Sequence, residues 1–193
     1  MLVYILHNML PHIQFFMWLV SNEAILTKDN MIKRNWVGDP ECYFCECNET
    51  IDHLFFKCSV AKVIWACVAR CIGAVDIPGN LNQCWSWLEK WLPLDKKFHV
   101  CGTAAICWAI WKARNNACFN NKIIKNPLEI ICHVGALMKF WAGLYAEVDK
   151  EAMEEGANLM LKLAMDILAA KKPKLETKGN EIQEYQDGDQ FKE

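Results

Sequence analysis

Residues 42–58 read CYFCECNETIDHLFFKC and hold most of the reactive chemistry in this sequence. Cys42 and Cys45 are separated by two residues, His53 follows after seven more, and Cys58 after another four, giving C-x2-C-x7-H-x4-C. The C-x2-C pair alone says little, because a chain with eleven Cys among 193 residues is expected to contain about one by chance. The full pattern says more. A C-x2-C turn can aim two sulfurs at one point, and a later His and Cys complete a tetrahedral N/S set. Such a closed Cys3His set suits one structural zinc, since a catalytic zinc keeps a position open for water. Two alternatives stay open at this stage. The thiols could form a buried cluster without metal, and Cys47 could exchange with Cys45, although a Cys45–Cys47 pair is tight for one ion. A redox-active reading of Cys42 and Cys45 requires a βαβ context, and none is visible. His7 and His12 sit in an apolar segment and read as packed or exposed side chains rather than as a second metal site.

The elements that must position these residues are helical. Pro11 suits the first turn of a helix carrying Phe15, Phe16, Trp18, Leu19 and Val20. Thr27 precedes a second helix with Asp29 in its first turn, where an acid complements the helix dipole. Cys58-Ser59 opens a third, holding Val60, Val63, Ile64, Cys67 and Val68. Trp85, Leu88 and Trp91 form a short stripe that ends before Pro93, and a longer one runs through Val100, Ala104, Cys107 and Trp111. Beyond Pro127, the positions Ile131, Val134, Met138, Trp141, Tyr145 and Val148 repeat at helical spacing, and Met160, Leu163 and Ile167 continue the rhythm. These last segments read as a helical hairpin or as a partner-binding surface. One short β-hairpin is expected within residues 36–48. The fold class is therefore mainly α: a small Cys3His zinc-knuckle domain, then amphipathic helices, then a disordered acidic tail.

Composition narrows the function classes. With 53% hydrophobic and 23% charged residues, the chain has the balance of a folded protein. The net charge of −2 gives no global basic field for nucleic acid or membrane. From Asp149 onward, seven Lys stand against eleven acids, so the acidity is concentrated at the end of the chain. Residues 171–193 combine Pro173, two Gly and many charges with little to bury, and are expected to be disordered. No membrane span is expected, because the apolar start is broken by His7, Asn8, Pro11, His12 and Gln14. The odd Cys count and the lack of a signal-peptide pattern point to an intracellular, reducing location, nuclear or cytoplasmic.

In order along the chain come the apolar Trp-containing stretch Phe15–Leu19, the Thr27–Arg34 segment with its basic end, and the Cys42/Cys45 knuckle. Glu49-Thr50, His53-Leu54-Phe55, Cys58 and Trp65 follow. This succession, over residues 10–66, resembles the zinc-binding domain that follows reverse transcriptase in plant LINE-type (non-LTR) retrotransposons. Residues 108–122, WAIWKARNNACFNNK, resemble the segment that joins this domain to a ribonuclease H domain in such elements. By that resemblance the zinc ligands are Cys42, Cys45, His53 and Cys58. The family usually has Gly where Cys47 stands. Nothing upstream has room for a polymerase, and nothing downstream has the spaced carboxylates of a nuclease, so an excised piece of an element, functional or relic, is expected.

The expected organisation is a zinc-binding domain over residues 10–92, a helical extension over 98–170 and the tail over 171–193. The expected activity is nonenzymatic. Lys28, Lys33 and Arg34 near Trp36, with Lys112 and Arg114 among aromatics, are the candidate contacts to single-stranded RNA or DNA. The acids Glu41, Glu46, Glu49 and Asp52 around the knuckle oppose phosphate. A helical interaction module, binding a protein partner through residues 127–170 with zinc purely structural, is the competing expectation.

Overall fold

The computed structural model describes residues 9–170. Both His7 and the expected disordered tail lie outside the described residues.

Pro11 occupies the first turn of α1 (Pro11–Ser21), where its fixed φ is already helical and its missing N–H costs nothing. The helix buries Ile13, Phe16, Met17 and Val20, one face at the i, i+3, i+4, i+7 rhythm. Asn22 closes it, with both its backbone N–H and its Nδ2 donating to Trp18 O. Thr27 precedes α2 (Lys28–Ile32), a helix of only five residues. The chain then runs irregularly to the knuckle. The expected β-hairpin is reduced there to a single antiparallel bridge, Glu41 to Asn48.

A π-helical turn, His53–Lys57, leads directly into α3 (Ser59–Ile72), which stops at Gly73. Gly73 has a φ of 73°, the left-handed conformation that a side chain resists and a helix C-terminus requires. Asn80 caps α4 (Leu81–Trp91) by accepting from Gln83 N–H at 2.8 Å. Three longer helices complete the structure: α5 (Lys96–Asn120), α6 (Leu128–Ala142) and α7 (Glu147–Ala170).

Helix α5 is buried nearly all round, from His99 and Val100 through Ala117, as a helix at the centre of a core must be. The ring of Phe16 in α1 meets Trp108 of α5 edge-on, with centroids 4.9 Å apart. The α6–α7 pair is an antiparallel hairpin: Gly135 faces Leu161, and Gly156 faces Met138. A Cβ at Gly135 would lie 2.7 Å from Leu161 Cγ, so glycine is what lets the two helices approach here.

One contiguous core extends from Met9 to Ala164 and crosses the step between residues 92 and 98. Its continuity uses the stripe that the sequence leaves open to a partner. Ile131, Val134 and Trp141 are buried within the molecule, and only the end of that stripe, at Val148, is exposed. Much of this stripe is thus intramolecular core, while Phe140 and Leu144 beside it are exposed. Among the described residues, no helix is long and apolar enough to cross a membrane.

Candidate metal centre

Three local structures deliver the donors. In the knuckle, Cys42 N–H donates to Cys47 O at 2.8 Å, and Glu49 N–H to Pro40 O at 2.9 Å, which closes the loop across its base. Inside it, Phe44 N–H points at Cys42 Sγ, 3.4 Å away. His53 enters from a turn whose first N–H groups are held by Thr50: its N–H donates to Thr50 Oγ1, and Leu54 N–H donates to Thr50 O. Cys58 stands at the N-terminus of α3.

The π-helical turn explains the four-residue gap between His53 and Cys58. In an α-helix, residues five apart point about 140° away from each other. A π-helical turn bonds residue i+5 back to residue i, which restores them to one side. Here Cys58 N–H donates to His53 O at 2.7 Å. Trp65 holds that turn from the next helix: its indole N–H donates to Phe55 O at 2.7 Å, and its ring stacks on Phe56 at 5.5 Å.

The result is one cluster. The side-chain donor atoms of Cys42, Cys45, His53 and Cys58 all lie within 4.8 Å of one another. Cys58 Sγ is 3.9 Å from Cys42 Sγ and 3.8 Å from Cys45 Sγ. A tetrahedral zinc with bonds of about 2.3 Å to sulfur requires sulfur–sulfur edges of about 3.8 Å. Cys45 Sγ and His53 Nε2 are closer, at 3.1 Å.

The protonation pattern follows from the same contacts. The Cys58 thiol is pulled down to about 5, first by the hydrogen bond from Cys42 and then, against burial, by the N–H groups of Val60 and Ala61 at the start of α3. Cys42 is pushed up as the donor of that bond and by its burial. The donor set fits one structural zinc.

Cys47 stands outside this group. Its side chain is exposed, and it contributes through its backbone, whose carbonyl receives Cys42 N–H and which also hydrogen-bonds Cys45. His12 packs its ring against Trp108 at 5.6 Å and is not brought to the cluster.

Of the five basic residues expected to meet nucleic acid, two are withdrawn from the surface. Arg114 is 2% exposed and forks onto Glu49, which is fully buried: Nη2 donates to Oε1 at 2.7 Å, and Nε lies 3.1 Å from Oε2. Glu49 Oε1 also receives Lys28 N–H, and Glu49 O receives Asp29 N–H, so the same residue caps α2. Lys28 is buried as well, its ammonium over the Tyr43 ring at 4.3 Å and donating to Glu41 O. A charge held in this way has exchanged water for protein partners and cannot also serve phosphate. Lys33 remains exposed in a surface pair with Asp29, and Arg34 and Lys112 are exposed.

The Glu49–Arg114 pair is the feature sequence reasoning missed. Both residues lie in motifs singled out above, yet 65 positions separate them, and nothing local announces the contact.

A closed Cys3His centre, seated between a knuckle and the start of a helix and walled by apolar helices, defines a zinc-binding domain. The family model described as zinc-binding in reverse transcriptase matches residues 2–65, a stretch that includes all four donors and ends on Trp65. The match covers nearly all of residues 10–66, the stretch over which the sequence resembles that domain. No curated protein and no solved structure matches the chain.

Proposed function

We propose that this chain is a nonenzymatic, zinc-stapled module, derived from a plant LINE-type retroelement, that holds single-stranded RNA or DNA weakly and with little sequence preference. The observation that carries the reading is an exposed aromatic pair on α1. Phe15 and Trp18 are 61% and 51% exposed, and their rings stack at 6.0 Å. Aromatic faces open to solvent offer bases a stacking platform, and cations supply the backbone contacts. Lys33, Arg34 and Lys112 are the cations from the sequence reading that remain at the surface. The closed donor set supports a structural rather than catalytic zinc, because no position is left for a reacting water.

The withdrawal of Lys28 and Arg114 reduces the expected phosphate contacts from five to three. The salt slope of single-strand binding should then be about −2 rather than about −3.5. Fluorescence anisotropy with a labelled oligonucleotide at low salt tests this. Phe15→Ala with Trp18→Ala should weaken binding by about 1–3 kcal/mol per stacked base. A wild-type protein that binds no oligonucleotide at low salt refutes the reading.

One observation favours a protein partner instead. Phe140, Leu144 and Val148 are exposed around the α6–α7 turn, inside the 127–170 segment. Concentration-dependent association that disappears in Phe140→Ser/Val148→Ser would support that reading.

A further inference from the structure

The connection from α5 to α6 builds a cleft that the zinc centre does not use. Asn121 takes a left-handed φ of 50°, and the N–H groups of Asn121 and Lys122 both donate to Asn116 O, which folds Lys122 back along the last turn of α5. Between this return, α5 and α6 lies a space of about 440 Å³. Its walls are apolar, from Ala109 and Ala113 on α5 to Ala136 and Leu137 on α6, with Ile124 between them. Three nitrogen bases, Lys112, Lys122 and His133, stand on it, all exposed.

The charge around this cleft is unbalanced. Several lysines elsewhere on the surface have a carboxylate partner, as in Lys57–Asp52, Lys96–Glu89 and Lys97–Asp149. Among the described residues, neither Lys112 nor Lys122 nor His133 takes part in an ion pair. The acid on the cleft, Glu129, is occupied with the backbone, since its Oε1 accepts the N–H groups of Lys125 and Asn126. Unpaired cations beside an apolar recess fit a ligand that carries an anion on one side and a flat, weakly polar face on the other. Asn116 adds recognition: its Oδ1 accepts from Asn120, and its amide N–H groups can donate to a base edge.

We propose that this cleft seats one nucleotide of a single-stranded nucleic acid, its phosphate on Lys112 and Lys122 and its base against the alanine-lined wall. The volume lies in the range of small-ligand sites. Lys122, His133 and Asn116 become recognition residues, and Lys112 contacts one strand together with them; with Lys122 as a fourth phosphate contact, the expected wild-type salt slope becomes about −2.8. This inference rests on the nucleic-acid reading above and deepens it by giving the strand a seat.

The test uses the full-length, zinc-loaded protein and a labelled ten-nucleotide oligouridylate, titrated by anisotropy across a salt series. Lys112→Ala/Lys122→Ala should weaken binding about tenfold at low salt and flatten the salt slope by about 1.4. Lys139→Ala/Lys162→Ala, which removes two exposed cations outside the cleft, should change neither. Ala136→Phe, which fills an exposed wall position without altering charge, should weaken binding while leaving the slope intact. Adenosine monophosphate should compete more strongly than inorganic phosphate. If the Lys112/Lys122 variant binds like wild type while Lys33→Ala/Arg34→Ala loses affinity, the cleft is overturned and the general reading survives. If Ala136→Phe is neutral and phosphate competes as well as the nucleotide, the recess holds an anion only, which also overturns the proposal. No binding by the wild-type protein refutes both.

Discussion

Glu49 joins three parts of the molecule through one carboxylate and its own backbone. It caps α2, closes the base of the knuckle and receives Arg114 from α5. A buried ion pair of this kind adds little beyond a well-packed apolar substitute, yet breaking it from one side is costly, because the remaining charge is left in the interior. Arg114→Met should therefore destabilise the zinc-loaded protein by about 3–5 kcal/mol in urea unfolding. Glu49→Gln/Arg114→Met should recover part of that loss, since the amide is neutral and still accepts from Lys28 N–H. A double variant no more stable than Arg114→Met would contradict this account. At the metal, Cys58→Ser removes one of the four converging donors, so elemental analysis should find less than one zinc per chain. Cys47→Gly should retain the full complement, because the Cys47 side chain is exposed and only its backbone is used.

Among the elements, the π-helical turn does the most for the site. Without it, His53 and Cys58 diverge; with it, Cys58 N–H bonds to His53 O, and both side chains reach one centre. Such a turn has few local bonds, and it is held from outside by Trp65, itself packed edge-on against Trp87 of α4 at 6.0 Å. Trp65→Phe preserves much of the stack on Phe56 but leaves Phe55 O without its buried donor. The expected cost is about 1–3 kcal/mol, with weaker zinc retention against a chelator as the second readout. Unchanged stability and retention would mean the turn stands without the indole.

For the molecule as a whole, zinc and core are expected to be coupled. Leu54, Phe55 and Phe56 of the metal-bearing turn are buried in the same core that runs through α3, α5 and α6. A structural zinc contributes on the order of 10–16 kcal/mol in small peptides, comparable with the stability of an entire domain. Chelation should thus lower the melting temperature of the whole chain and shift the fluorescence of its buried Trp residues, rather than loosen residues 36–65 alone. A melting curve unmoved by complete zinc removal would refute this. By the same reasoning, a fragment ending at residue 92 should fail to give a dispersed NMR spectrum even with zinc. It lacks Arg114 for Glu49 and Trp108 for Phe16.

What the sequence determined by itself was local. The donor spacing, Pro11 at the head of α1 and the stripe through Val100–Trp111 were legible, because each depends on residues within a turn or two of one another. The tertiary structure decided what depends on distant partners. Lys28 and Arg114 read as surface cations in sequence, and both are buried, Arg114 by an acid 65 positions away. The stripe through Ile131, Val134 and Trp141 could face a partner or its own core, and the packing of α6 and α7 placed those three in the core while leaving Phe140, Leu144 and Val148 at the surface. The x4 gap before Cys58 pointed to a ligand but not to a π-helical turn, because that conformation is held by Trp65 from the following helix. Periodicity and spacing report what a segment can present; whether a charge meets solvent or another charge is set only when the chain closes on itself.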